Sequence, residues 1–118
     1  MSTGSAFNGT TNELPEKIVD ASQRQTMVVY FWTPGCIPCR DLGPALERAV
    51  ASFNKGAALV KVNTDKDRDT ARFWGVRTIP YVKIVKRGKV VKEFTGDLPE
   101  FAIKMLLGRV VSARTGGQ

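Results

Sequence analysis

An α/β domain, with a mixed central β-sheet of four to five strands and helices on both faces, is the architecture this sequence predicts. Three observations carry it. Short β-branched and aromatic runs alternate with segments of helical period. The last two such runs are joined only by a short polar link around Arg87-Gly88, a hairpin turn. And 118 residues suit one hydrophobic core. One domain is therefore expected over residues 12–110. The flanking segments 1–11 and 111–118, rich in small and polar residues, bury too little to order themselves and are expected to be disordered.

The first helix is expected from Pro15, a residue suited to the first helical position, towards Arg24, with Ile18 facing inward. Met27-Val28-Val29-Tyr30-Phe31-Trp32 reads as a strand buried on both faces, and Thr33-Pro34-Gly35 breaks it. From Cys36 to Phe53, Leu42, Leu46, Ala49 and Phe53 recur at helical spacing, with a kink expected at Pro44. Ala58 to Val62 is a second buried strand, and Asp69 to Trp74 a short helix closed by Gly75. Tyr81–Val85 and Val90–Phe94 form the hairpin. A last helix starts at Gly96 or Asp97 with Pro99 in its first turn; Phe101, Met105, Leu106 and Val110 are its expected buried stripe. Helix–strand alternation implies parallel pairing through right-handed crossovers, with the final pair antiparallel.

Composition removes several chemistries. Without a single His the chain has no imidazole base and lacks the commonest nitrogen ligand for zinc. Two Cys are too few for a disulfide-stapled secreted scaffold. The start of the chain shows neither a basic nor an apolar leader segment, and no apolar run is long enough to span a bilayer. The expected compartment is the cytoplasm, where a retained Cys pair is catalytic or metal-binding more often than structural.

That pair is Cys36-Ile37-Pro38-Cys39, set directly between a strand and a helix. A thiol at a helix N-terminus faces unpaired backbone N–H groups and the positive end of the helix dipole, and both stabilise its thiolate. Three-residue spacing puts Cys39 on the same helix face, about 5 Å away between Cα atoms and within disulfide reach. Cys36 at the tip would attack, and Cys39 one turn in would resolve the mixed disulfide. Two alternatives stand beside this: unrelated reduced core thiols, and a zinc site that only a dimer could complete.

Around the pair, further landmarks fall in order. Phe31-Trp32 precedes it, Pro44 follows in the helix, and Lys61-Val62-Asn63-Thr64-Asp65 ends a strand. Then come Val76-Arg77-Thr78-Ile79-Pro80, the Lys86-Arg87-Gly88-Lys89 hairpin and Gly96. Together they resemble the thioredoxin family across residues 12 to 110. The resemblance implies the thioredoxin fold and a thiol–disulfide oxidoreductase that reduces protein disulfides. It implies a cis Pro80 against the Cys pair, with Thr78, Ile79, Pro80 and Gly96 forming the groove that takes an extended client segment. It makes Trp32, Gly35, Ile37, Pro38, Tyr30 and Lys61 the support of the active site. No bound cofactor is implied: electrons would come from NADPH through thioredoxin reductase, with disulfide-containing proteins as clients and the chain a monomer.

The sequence also departs from that family. Tyr30 stands where a buried Asp is usual, the residue thought to relay a proton for the second Cys with Lys61 as its partner. A phenol is a poor base at neutral pH, so Cys39 is expected to be deprotonated slowly. Gly35 replaces a Trp, Ile37 a Gly, and Tyr81 a Thr. A second functional reading, the client-binding domain of a co-chaperone, rests on Asp97-Leu98-Pro99-Glu100 and the apolar helix after it. A third, a periplasmic oxidant or isomerase, lacks a leader and the His usual between the cysteines.

The net charge of +7 lies wholly in residues 61–118, and six basic residues with no acidic one fall between Arg77 and Lys92. Only Tyr81 and Phe94 accompany them as aromatics, so nucleic acid is not an expected partner. A solvated, aggregation-resistant sheet edge is the first reading and an acidic-partner surface the second. Lys83, between apolar neighbours, is expected to snorkel at a sheet face.

Overall fold

The computed structural model describes the backbone of residues 6–8 and residues 14–113 in full. Its elements are β1 (Ala6–Asn8), α1 (Leu14–Ala21), β2 (Thr26–Trp32), α2 (Cys39–Ala51), β3 (Ala57–Asn63), α3 (Arg68–Phe73), β4 (Tyr81–Lys86), β5 (Lys89–Phe94) and α4 (Glu100–Ser112). A single 3-10 turn at Asn54–Gly56 links α2 to β3. The sheet order is β1-β3-β2-β4-β5. β1 and β2 run parallel to β3, while β4 runs antiparallel to both β2 and β5.

β2 lies at the centre, and this is why its sequence is apolar without alternation: Thr26 to Phe31 are all buried. Val28 and Tyr30 face a core built with Leu42, Leu46 and Ala49 of α2 and Ile103, Leu107 and Val110 of α4. Met27, Val29 and Phe31 face a second core with Leu14 and Ile18 of α1 and Ala71 of α3. Helices therefore cover both faces, as the sequence predicts. The hairpin turn has positive φ at both Arg87 (55°) and Gly88 (81°), the geometry that suits a two-residue link between twisted strands. Gly75 ends the α3 segment at φ 66°.

Four expectations need correction. Ala6–Asn8, assigned to a disordered segment 1–11, form a strand; they gain order from the open edge of β3 (Ala6 opposite Leu59), not from their own composition. The other residues of that segment, and 114–118, lie outside the described residues. At the other end the tail begins later than residue 111, because α4 continues to Ser112 and Lys86 Nζ donates to the carbonyls of Val110, Val111 and Ala113. That ammonium sits at the negative end of the helix and supplies donors its last carbonyls lack.

The buried stripe of α4 is Ile103, Leu107 and Val110, whereas Phe101 and Met105 are exposed. Finally, the helix after the Cys pair starts at Cys39, with Cys36 outside it, and continues as one element past Pro44 to Ala51.

Candidate active site

β2 delivers the chain to the reactive pair. After Trp32, the loop Thr33-Pro34-Gly35 leads to Cys36, whose N–H donates to the Thr33 carbonyl at 3.1 Å. Pro38 takes the N-cap position of α2, where an absent amide costs nothing. Cys36 and Cys39 are joined as a disulfide with Cα atoms 5.3 Å apart. They are thus a reactive pair, and not separate core thiols. The Cys39 N–H, the first amide of α2, donates to Cys36 Sγ at 3.2 Å. A helix N-terminus aimed at one sulfur favours its anion over that of its neighbour.

Both cysteines are half-buried and share a cleft of about 230 Å³ with Tyr30, Trp32, Thr33, Pro34, Arg40 and Lys61. Trp32 packs against the core beneath the loop, with its indole N–H buried and without an acceptor among the described residues. The Trp32 carbonyl accepts the Thr64 N–H at 3.0 Å, which ties the active-site strand to the end of β3. Gly35 is exposed with open space around it, and Ile37 projects into solvent at 66% exposure, so neither neighbour of Cys36 in the chain sets an aromatic ring beside its sulfur.

Tyr30 is buried below Cys39 and its hydroxyl donates weakly to the Cys39 carbonyl at 3.4 Å. Burial, helped by the nearby Glu47 charge, pushes this phenol up to about 12. It stays protonated throughout the neutral range and offers no base. Lys61 lies opposite Tyr30 in the β2–β3 register and is ion-paired with Glu47 of α2. Glu47, the partner of the cleft-lining Lys61, is the residue that sequence reasoning missed. Its signal was available as spacing: Cys39, Gly43 and Glu47 are four apart on one helix.

The residues expected to take a client segment lie around the start of β4. The Ile79–Pro80 peptide is cis, as the resemblance implied. Phe31 pairs with Tyr81, which puts Pro80 at the level of Trp32. Pro80 is buried, Ile79 half-buried and Thr78 exposed. Gly96 lies over Pro80 so closely that a Cβ there would stand 2.8 Å from Pro80 Cγ.

A redox-capable Cys pair at a helix N-terminus, on a sheet whose fourth strand follows a cis proline, defines a thiol–disulfide oxidoreductase. The thioredoxin family model matches residues 7–108, and the chain belongs to that family. Thioredoxin 2 of Chlorobaculum tepidum is 34% identical over 98 residues, covering 83% of this chain and 88% of the relative. The thioredoxin of Porphyra purpurea is 30% identical over 103 residues, covering 81% and 96%. Among solved structures, Fasciola hepatica thioredoxin superposes with a TM-score of 0.76 at 24% identity, over 86% of this chain and 96% of the other; that likeness concerns the fold. Members of the family reduce disulfides of client proteins. Among the described residues no helix is long and apolar enough to cross a membrane.

Proposed function

We propose that the chain is a cytoplasmic protein-disulfide reductase in which Cys36 attacks and Cys39 resolves. The Cys36 thiolate attacks one sulfur of a client disulfide, and the other client sulfur leaves as a thiolate. Cys39 then attacks Cys36 Sγ and expels the second client sulfur. The dithiol gives up two electrons and becomes the disulfide. The observation that carries these roles is the Cys39 N–H donating to Cys36 Sγ at the start of α2, which favours a thiolate on Cys36. An extended client segment would lie along Thr78-Ile79-Pro80 and under Gly96, pairing with the Ile79 backbone as an added strand does. Ile37 would offer apolar contact beside the attacking sulfur. Re-reduction would come from NADPH through thioredoxin reductase, with no cofactor bound to the chain itself and the chain acting as a monomer.

Insulin disulfide reduction, with NADPH and thioredoxin reductase as donor, tests this in wild type and Cys36→Ser. Turnover by wild type and its loss in the variant are expected. Negligible turnover by wild type, with client aggregation suppressed equally by both proteins, would replace the reductase with a client-binding role.

A further inference from the structure

The stripe Cys39, Gly43, Glu47 faces β2 and β3 along one side of α2. Its middle position has no side chain, and the Tyr30 ring fills that space: a Cβ on Gly43 would stand 3.7 Å from both Tyr30 Cε2 and the Tyr30 hydroxyl. At one end of the stripe the Tyr30 hydroxyl reaches the Cys39 carbonyl. At the other, Glu47 accepts from Lys61 Nζ, and Lys61 lines the cleft that holds both cysteines. Lys61 and Glu47 are 26% and 48% exposed, so the pair sits at the rim, partly shielded from solvent.

We propose that Glu47 tunes the resolving step through Lys61: its carboxylate offsets the Lys61 ammonium at the cleft, and the balance of the pair sets the charge against which Cys39 loses its proton. This rests on the reading that Cys39 resolves the mixed disulfide. In that step the Cys39 proton passes to solvent, and the new thiolate attacks Cys36 Sγ. The Cys36–client bond breaks as the Cys36–Cys39 bond forms, and the client leaves as a thiolate. A cation near the developing thiolate promotes this, and a carboxylate opposes it.

The charged groups that bear on Cys39 come from each element around it. On α2 Arg40 lines the cleft, with Asp41 exposed beside it and Glu47 two turns on. β3 contributes Lys61, and β2 only the neutral Tyr30. On α4, which packs on α2, Glu100 is engaged by Arg48 and Lys104. Lys61 is thus the cleft cation whose charge a neighbouring carboxylate offsets.

The test mixes reduced full-length protein with an aromatic disulfide and follows release of the coloured thiol against pH. The first equivalent reports attack by Cys36, the second resolution by Cys39. Glu47→Gln leaves Lys61 unopposed and should move the acid limb of the second phase down by about half a pH unit, roughly threefold faster on that limb. Lys61→Met leaves Glu47 unopposed and should move it up by a similar amount. Opposite shifts support the proposal; shifts in one direction, or none, overturn it. Cys39→Ser should lose the second equivalent, and its retention would overturn the assignment of Cys39 instead.

Discussion

Gly96 is the position where one added methyl group has the best-defined consequence. In Gly96→Ala the new Cβ would stand 2.8 Å from Pro80 Cγ, 3.7 Å from Pro80 Cδ and 3.9 Å from Leu42 Cδ2. Carbon atoms are at their optimum at about 3.5–4.0 Å, so the first of these contacts must open by roughly 0.7 Å or more. Pro80 is buried in a rigid ring just ahead of the Phe31–Tyr81 pair, and Leu42 belongs to the core. The yielding part is the loop that carries residue 96. Overpacking of this kind costs about 1–3 kcal/mol, equivalent to a fall in Tm of roughly 4–15 °C for a domain of this size. Lifting the loop also widens the groove over Pro80, so KM for a protein client should rise while reduction of a small aromatic disulfide holds within about twofold. Thermal unfolding and the two kinetic assays together decide it. A Tm within about 1 °C of wild type with unchanged KM would refute the argument that this close approach shapes the groove.

Asp67 caps α3: it is buried and accepts the Thr70 N–H at 3.0 Å and the Thr70 hydroxyl at 2.7 Å. Asp67→Ala should cost about 2–3 kcal/mol in urea unfolding, a lost cap plus a stranded buried hydroxyl, with disulfide reduction intact. Tyr30→Phe should change the resolving rate at pH 7 by less than about threefold, because a phenol at about 12 is ionised in roughly one molecule in 10⁵ there. The same variant carries a pH signature. The folded value lies above the ordinary 10.0, so stability present below pH 10 is lost as pH rises towards 12, and that loss should be smaller in Tyr30→Phe by denaturant titration. Tyr30→Asp places a carboxylate opposite Lys61 and should raise insulin-reduction turnover, at about 3–5 kcal/mol of stability for the lost ring.

Where the residue pattern specified one face, the fold could be read from it. β2 is apolar at every position because it is central, and that needs no knowledge of its partners. α4 is different. Phe101, Ala102, Ile103, Met105, Leu106, Leu107, Val110 and Val111 surround most of the helix, so period alone leaves its inward face undecided. Of the expected stripe, Val110 is buried and Leu106 packs against the core while Phe101 and Met105 are exposed; contact with α2 selects Ile103, Leu107 and Val110. β1 carried no local signal because its order comes from the β3 edge. The reactive pair was readable since its chemistry depends on adjacent residues, whereas the Glu47–Lys61 pair joins positions 14 apart in sequence that only the packing of α2 on β3 brings together.

The same packing assigns the excess positive charge. Lys86 is engaged by the α4 carbonyls, and Lys83 pairs with Glu93 at 3.1 Å while lying 5.6 Å from the Tyr81 ring centre. Arg87 and Lys89 occupy the hairpin, at the end of β4 away from Tyr81. The six residues of β4 span about 20 Å. Exposed charges are screened over about 8 Å at physiological salt, so the hairpin cations act weakly on anything held at the cysteines. Lys89 and Lys92 instead sit on β5, the open edge of the sheet, where lysines oppose pairing with another chain. Arg40 and Lys61 are the cations that line the cysteine cleft, and of these two Lys61 is the one ion-paired with Glu47.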